Sequence, residues 1–308
     1  MIDSFLTIFP IFALIFIGWA AIRAHIVGEQ TGNGVADYVF MIALPLMLFR
    51  TLATAPLPPS PPWAFWASYF VALGVIWIVM QQLCARAFAR GAQESAIISF
   101  ATVQSNMVLM GIPLVLRVFG EAGAVPLFLL VAINLPITMT LATLQIETSS
   151  SGQSRGLSIL KKVATNPIIL GLGAGALFRQ TGLEIPVPLL ATLKVISDSA
   201  APCALFAMGA GLARYGMGGE PRLLTAVIVM KLLAFPIIVY LLGTFVLRIE
   251  PLWVGVATVL AACPSGVNAY LLAERYRLGQ GLASGAILVS SVLAVATTTF
   301  FVWLVRIG

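Results

Sequence analysis

Charge is scarce in this chain. Only 9% of its 308 residues are Asp, Glu, Lys or Arg, whereas soluble globular domains carry about 25%. With 60% hydrophobic residues and a mean hydropathy of +1.04, a water-soluble globule is excluded and a bilayer is the solvent. Cysteine is limited to Cys84, Cys203 and Cys263, an odd number, all within or at the end of apolar stretches. Neither a disulfide framework nor a zinc set fits that placement, and packing is the reading that remains. The one histidine, His25, falls in a connection, where a solvated ring fits better than a proton relay. His-Glu-x-x-His, Gly-x-Ser-x-Gly and the phosphate-binding loop are all missing, so no enzyme, cofactor or metal site is expected. Met1-Ile2-Asp3-Ser4 lacks a basic n-region, and the apolar run behind it is too long for a signal-peptide core, which predicts a retained first helix.

What is present is length and apolarity in the right units. Ten segments reach the roughly 20 residues that cross a bilayer core: residues 4–24, 35–53, 63–85, 94–118, 122–146, 160–180, 187–213, 221–247, 251–273 and 281–306. The net charge of +6 does not point to nucleic acid, because the basic residues are dispersed among segment ends. Alternate connections hold Arg23, Arg86, Arg90, Arg155, Lys161, Lys162, Arg214, Arg222, Arg275 and Arg277, against Arg50, Arg117, Arg179, Arg248 and Arg306 on the other side. Basic residues favour the cytoplasm, which predicts a plasma (inner) membrane protein with both termini on the external side.

The polar stretch 147–159 divides five segments from five and reads as a cytoplasmic linker between a first half, 1–146, and a second, 160–308. Because five crossings are odd, a repeat across that linker is inverted. Pro45-Leu-Met-Leu-Phe49 and Pro202-Cys-Ala-Leu-Phe206 preserve a trace of it in the second segment of each half. Pro56 to Pro62 cannot be helical and predicts a stiff external spacer, with Trp63 and Trp66 as interfacial anchors. Gly171-Leu-Gly173-Ala-Gly175 lacks the strand context of a nucleotide site and reads as close helix packing.

Chemistry concentrates where the fourth and ninth segments break. Ser105-Asn106 with Gly111-Ile112-Pro113, and Cys263-Pro264-Ser265-Gly266 with Asn268, put the same helix-breaking residue types into corresponding places of the two halves. Broken helices so placed point to a transporter's binding site. At 1.5 Å rise per residue, Asn106 lies about 18 Å and Pro264 about 20 Å from their segment starts, near the midplane. Freed backbone there needs protein, ligand or water as partner. The new half-helices present positive N-terminal ends, which favour an anion, and Ser105, Asn106, Ser265 and Asn268 offer polar groups beside them. Two charges share the midplane region: Asp198 at about 16 Å and Lys231 at about 15 Å. Asp198 has three readings, a bridge to Lys231, a pair with Lys194 four residues earlier, or a proton or sodium site. Asn134, Gln104 and Gln145 are polar groups in apolar surroundings that helix-to-helix hydrogen bonding accounts for, the preferred reading for Gln145 near a membrane surface, whereas Asn134, ahead of Pro136, lies close enough to the midplane to face a substrate.

Asn106-Met-Val-Leu-Met-Gly111-Ile-Pro113-Leu114 resembles the fourth-helix motif of the auxin efflux carrier family, which includes the plant PIN-formed proteins and bacterial malonate-type carriers. Cys263-Pro264-Ser-Gly266-Val-Asn-Ala-Tyr-Leu-Leu-Ala-Glu274-Arg-Tyr276 is similar to its ninth helix, and Ile196-Ser-Asp198, Ala204 to Gly209 and Leu44-Pro45-Leu46 extend the likeness. The resemblance implies an all-α integral membrane carrier of ten helices in two inverted five-helix repeats, related to bile acid sodium symporters. It also implies that helices four and nine cross at their breaks and bind a small organic anion there, with elevator-type movement and a homodimer. Two departures stand out: Ser105 replaces the proline that plant members place before the asparagine, and residues 63–85 lack their acidic residue.

The expectation is therefore a secondary carrier of a malonate-like or aromatic carboxylate in a lipid bilayer. Its predicted substrate site is Ser105, Asn106, Gly111, Pro113, Asn134, Pro264, Ser265, Gly266 and Asn268, with Asp198 and Lys231 coupling or bridging. A sodium-coupled symporter and an anion receptor or channel are the alternatives.

Overall fold

The computed structural model describes residues 1–54, 62–148, 167–216 and 218–307. The expected spacer apart from Pro62, residues 149–159 of the linker with Arg155, and the start of the sixth segment with Lys161 and Lys162 lie outside the described residues.

Their regular structure is helical, with no strand beyond one isolated bridge among the described residues. We number the helices α1 (Ile2–Arg23), α2 (Glu29–Thr54), α3 (Trp63–Ala87), α4 (Ala92–Val103), α5 (Ile112–Phe119), α6 (Ala124–Thr148), α7 (Pro167–Gln180), α8 (Val187–Leu212), α9 (Pro221–Val246), α10 (Pro251–Ala262), α11 (Asn268–Tyr276) and α12 (Gln280–Ile307). Among the described residues, seven stretches are long and apolar enough to span a bilayer: α1, α2, α3, α8, α9, α12 and the run Met107–Thr148, which contains α5 and α6. Gly120, with φ of 63° in the left-handed region, interrupts that run. Ten spans were expected; the fourth and ninth are interrupted, so their halves are short, and α7 is described only from Pro167.

α2 begins at Glu29, before the expected residue 35. Gly32 and Gly34 read as a loop in sequence, since glycine weakens helices by up to about 1 kcal/mol. Tertiary contact overrides that preference: a Cβ on Gly32 would stand 2.8 Å from the Ala210 methyl of α8, and the Tyr38 and Ser199 hydroxyls bond at 2.7 Å.

Small residues set the closest helix contacts, as membrane packing demands in the absence of a hydrophobic driving force between helices. Gly171 and Gly175 of α7 lie against Pro45 and Phe49 of α2, whereas Gly173 faces open space. Gly18 of α1 and Gly209 of α8 bring those two backbones together in the same way. Buried aromatic edges join α3 to α9 and α10, through Tyr69 with Phe235 and Phe65 with Trp253.

Candidate functional site

α4 ends at Val103, and Gln104 leaves the helix in an extended conformation, φ −73° and ψ 100°. α10 likewise ends at Ala262, and Cys263 leaves it extended, φ −60° and ψ 148°. An amide freed by each break finds a carbonyl on the other: Asn106 N–H donates to Pro264 O at 2.8 Å, and Gly266 N–H donates to Gln104 O at 2.7 Å. Ser105 and Ser265 thus form an isolated antiparallel bridge inside an all-helical protein. Buried backbone groups without water must pair, and here each break satisfies the other. The approach is tight, since a Cβ on Gly266 would stand 3.2 Å from Ser105 O.

Past the crossing both chains return to helix. Asn106 O accepts from Met110 and Gly111 in a widened turn, and the Asn106 Oδ1 accepts from Leu109 N at 3.4 Å. Pro113 sits in the first turn of α5, where a missing amide costs least. The unwinding therefore lies at Gln104 to Asn106, upstream of the proline. Gly111 lies in the widened turn, where a Cβ would meet the Leu260 side chain at 2.7 Å. Asn268 opens α11 and is half-buried.

The polar groups at the crossing divide into bonded and unbonded. Ser265 N–H donates to Ser290 Oγ at 2.9 Å. Thr138 Oγ ties the break to α6 through Gln104 Oε1 at 2.8 Å and Asn134 O at 2.7 Å. Asn106 Nδ2, Ser265 Oγ and Asn134 Oδ1 are buried and have no protein partner among the described residues. Tyr69 reaches Ser105 from α3 without completing a hydrogen bond that satisfies its hydroxyl. An unpaired buried polar group costs about 1 to 3 kcal/mol, so a cluster of them beside two helix N-termini is a place where a polar ligand or water is needed.

The structure separates Asp198 from Lys231. Asp198 is exposed on α8 and pairs with Lys194 at 2.6 Å, the i to i+4 reading. Lys231, wholly buried, bonds instead to Ser105 Oγ at 2.5 Å and to Ala261 O at 3.0 Å, with the Phe235 ring centroid 4.9 Å away. Of the three readings of Asp198, the bridge to Lys231 is thus not formed, because the two side chains leave their helices toward different surroundings. Tyr69, Phe235 and Ser290 at the crossing were not singled out from sequence; hydroxyls and aromatic rings are too common in apolar segments to stand out.

The family model for the membrane transport protein family matches residues 3–162 and 153–302. A Rhizobium meliloti (strain 1021) protein, named as a candidate malonate transporter, is 29% identical over 308 residues, covering 98% of this chain and 95% of its own. An uncharacterized transporter of Methanothermobacter thermautotrophicus is 22% identical over 292 residues, 94% of this chain and 95% of its own. The lysosomal cholesterol signaling protein of Mus musculus is 27% identical over 247 residues, 74% of this chain but 28% of that larger protein.

Proposed function

Because the chain belongs to the membrane transport protein family, we propose that it is a secondary carrier for a small organic anion, a malonate-like or aromatic carboxylate bound where the two breaks cross. The observation that carries this reading is the pairing of unsatisfied donors with helix N-termini. Asn106 Nδ2 and Ser265 Oγ have no protein partner among the described residues, and the half-helices that restart after Asn106 and at Asn268 direct positive ends to the same region. Pro113, Gly111, Pro264 and Gly266 shape the backbone around them, and Asn134 adds an unsatisfied amide oxygen from α6. The candidate malonate transporter of R. meliloti makes a dicarboxylate the first substrate to try.

In this reading ten crossings form two inverted repeats, and the chain lies in the inner membrane with both termini outside. Alternating access is of elevator type, one group of helices carrying the crossing past the other. A homodimer accounts for the Lys194 and Asp198 pair, which is more than half exposed on both sides about 10 to 16 Å along α8. Charge in hydrocarbon is costly, and a second copy covers what lipid cannot.

Thermal-shift screening of the purified protein against a carboxylate panel tests the anion, since a ligand of the folded form raises the melting temperature. Counterflow in proteoliposomes tests the carrier. Trans-stimulated exchange of the stabilising carboxylate is expected; stabilisation without exchange leaves a receptor or channel, and no stabilisation by any carboxylate overturns the anion site.

A further inference from the structure

The ion pairs among the described residues use Arg50, Arg90, Lys194 and Arg214. Lys231 is the buried cation outside them; Cys263 is the titratable group that acts on it directly, Tyr69 reaches the same Ser105 from α3, and neither is a carboxylate. Its two oxygen partners come from different broken helices. Ala261 lies in the last turn of α10, where the final carbonyls have no helical amide to accept from. Ser105 lies two residues beyond the end of α4.

This arrangement has an electrostatic reason. Both incoming helices bring negative C-terminal ends to the crossing, and the antiparallel bridge holds those ends together. Like partial charges in a dry interior repel, so the crossing requires a positive charge between them. Freed carbonyls and helix C-terminal ends are also the donor set with which broken-helix carriers hold a mobile cation.

We propose that the Lys231 ammonium is the resident cation of this crossing: tethered through α9, it occupies the position a mobile monovalent cation would otherwise fill, so that anion movement needs no accompanying metal ion. Lys231 is in this sense a positioning residue, holding the negative ends together while the positive ends remain available to the anion. Its transport consequence rests on the carrier reading above; its electrostatic role does not.

The test replaces the tether by a free ion. Lys231→Ala removes the atoms from Cγ to Nζ, which n-propylammonium matches in length. In proteoliposomes loaded with malonate, the variant should lose exchange by about tenfold or more. Added n-propylammonium should restore exchange and raise the melting temperature of the variant, while n-propanol, of similar size and neutral, should do neither. Lys231→Met, which keeps volume without charge, should also lose exchange, and replacing sodium by choline should leave the wild-type rate unchanged. Equal rescue by n-propanol, a wild-type rate for Lys231→Met, or a sodium requirement in the wild type would overturn the proposal. If the wild type exchanges no malonate, the substrate reading fails, and the melting-temperature comparison still decides the role of Lys231.

Discussion

Gly18 lies directly against the Phe206 carbonyl, with no room for a Cβ between them. Gly175 lies against the Phe49 carbonyl in the same manner. The same interval of 157 residues separates the two glycines (18 to 175) and the two phenylalanines (49 to 206). Each phenylalanine ends a Pro-x-x-Leu-Phe run, and each glycine comes from the first segment of the other half. One contact is therefore written twice with the halves exchanged, which is the relation that the proposed inverted repeat generates.

These contacts predict a paired sensitivity. Gly18→Ala and Gly175→Ala each force a methyl into backbone rather than into a movable side chain, and overpacking of this kind costs about 1 to 3 kcal/mol. Gly173→Ala, where the space is open, should not destabilise and should gain up to about 1 kcal/mol of helix propensity. Thermal unfolding of the three variants in detergent checks the contrast; equal melting temperatures would show that the helices part without cost.

Asn106 has separable roles, because Oδ1 accepts from Leu109 N while Nδ2 has no partner among the described residues. Asn106→Asp keeps the accepting oxygen and replaces the donor by negative charge. It should lose carboxylate affinity by at least roughly tenfold, since hydrogen bonds to charged groups are worth about 1.5 to 3 kcal/mol, and its buried charge should lower the melting temperature without removing the cap. Asn106→Ala should lose both, with the missing cap costing about 1 kcal/mol. Ligand-induced thermal shift on both variants separates cap from binding donor.

Spans and breaks were legible because both are written in residue type. Long apolar runs declare themselves, and Ser-Asn with Gly-Ile-Pro or Cys-Pro-Ser-Gly cannot continue a helix cheaply. Partners across the fold were not legible. Depth alone put Asp198 and Lys231 together, but depth does not give direction around a helix axis. Lys231 turns into the crossing and Asp198 turns away to Lys194. The early start of α2 was missed for a related reason: the Gly32 contact with Ala210 is tertiary, and local propensity does not contain it. The prolines drew attention to Pro113, although the backbone opens at Gln104 to Asn106, where the gain is pairing with the other break.

The exposed pair on α8 gives a prediction about assembly. Asp198→Asn strands the Lys194 ammonium, while Lys194→Met combined with Asp198→Leu removes both charges. Breaking one side of a covered ion pair is worse than replacing both members, so the single variant should shift the protein toward monomer and the double variant should return it toward dimer. Light scattering during gel filtration reads the masses. Identical mass for the two variants and the wild type would place the pair outside any subunit contact.

Ser265 gives the prediction with the least intuitive sign. Its backbone N–H donates to Ser290 Oγ and its residue forms the bridge with Ser105, but its own hydroxyl is wholly buried with no partner among the described residues. Ser265→Ala leaves both backbone interactions in place and deletes only the unsatisfied group. Folding should then become more favourable by about 1 kcal/mol, the low end of the penalty for a buried unpaired polar atom. A hydroxyl kept at that cost is accounted for if it serves the anion, so the same variant should bind malonate more weakly and exchange it more slowly. Stability gained where function is lost is the pattern expected of a polar site held open for a ligand. Paired measurements of melting temperature and malonate exchange decide it: a higher melting temperature with unimpaired exchange would remove Ser265 from the site, and a lower one would mean that its hydroxyl already has a partner in the folded protein.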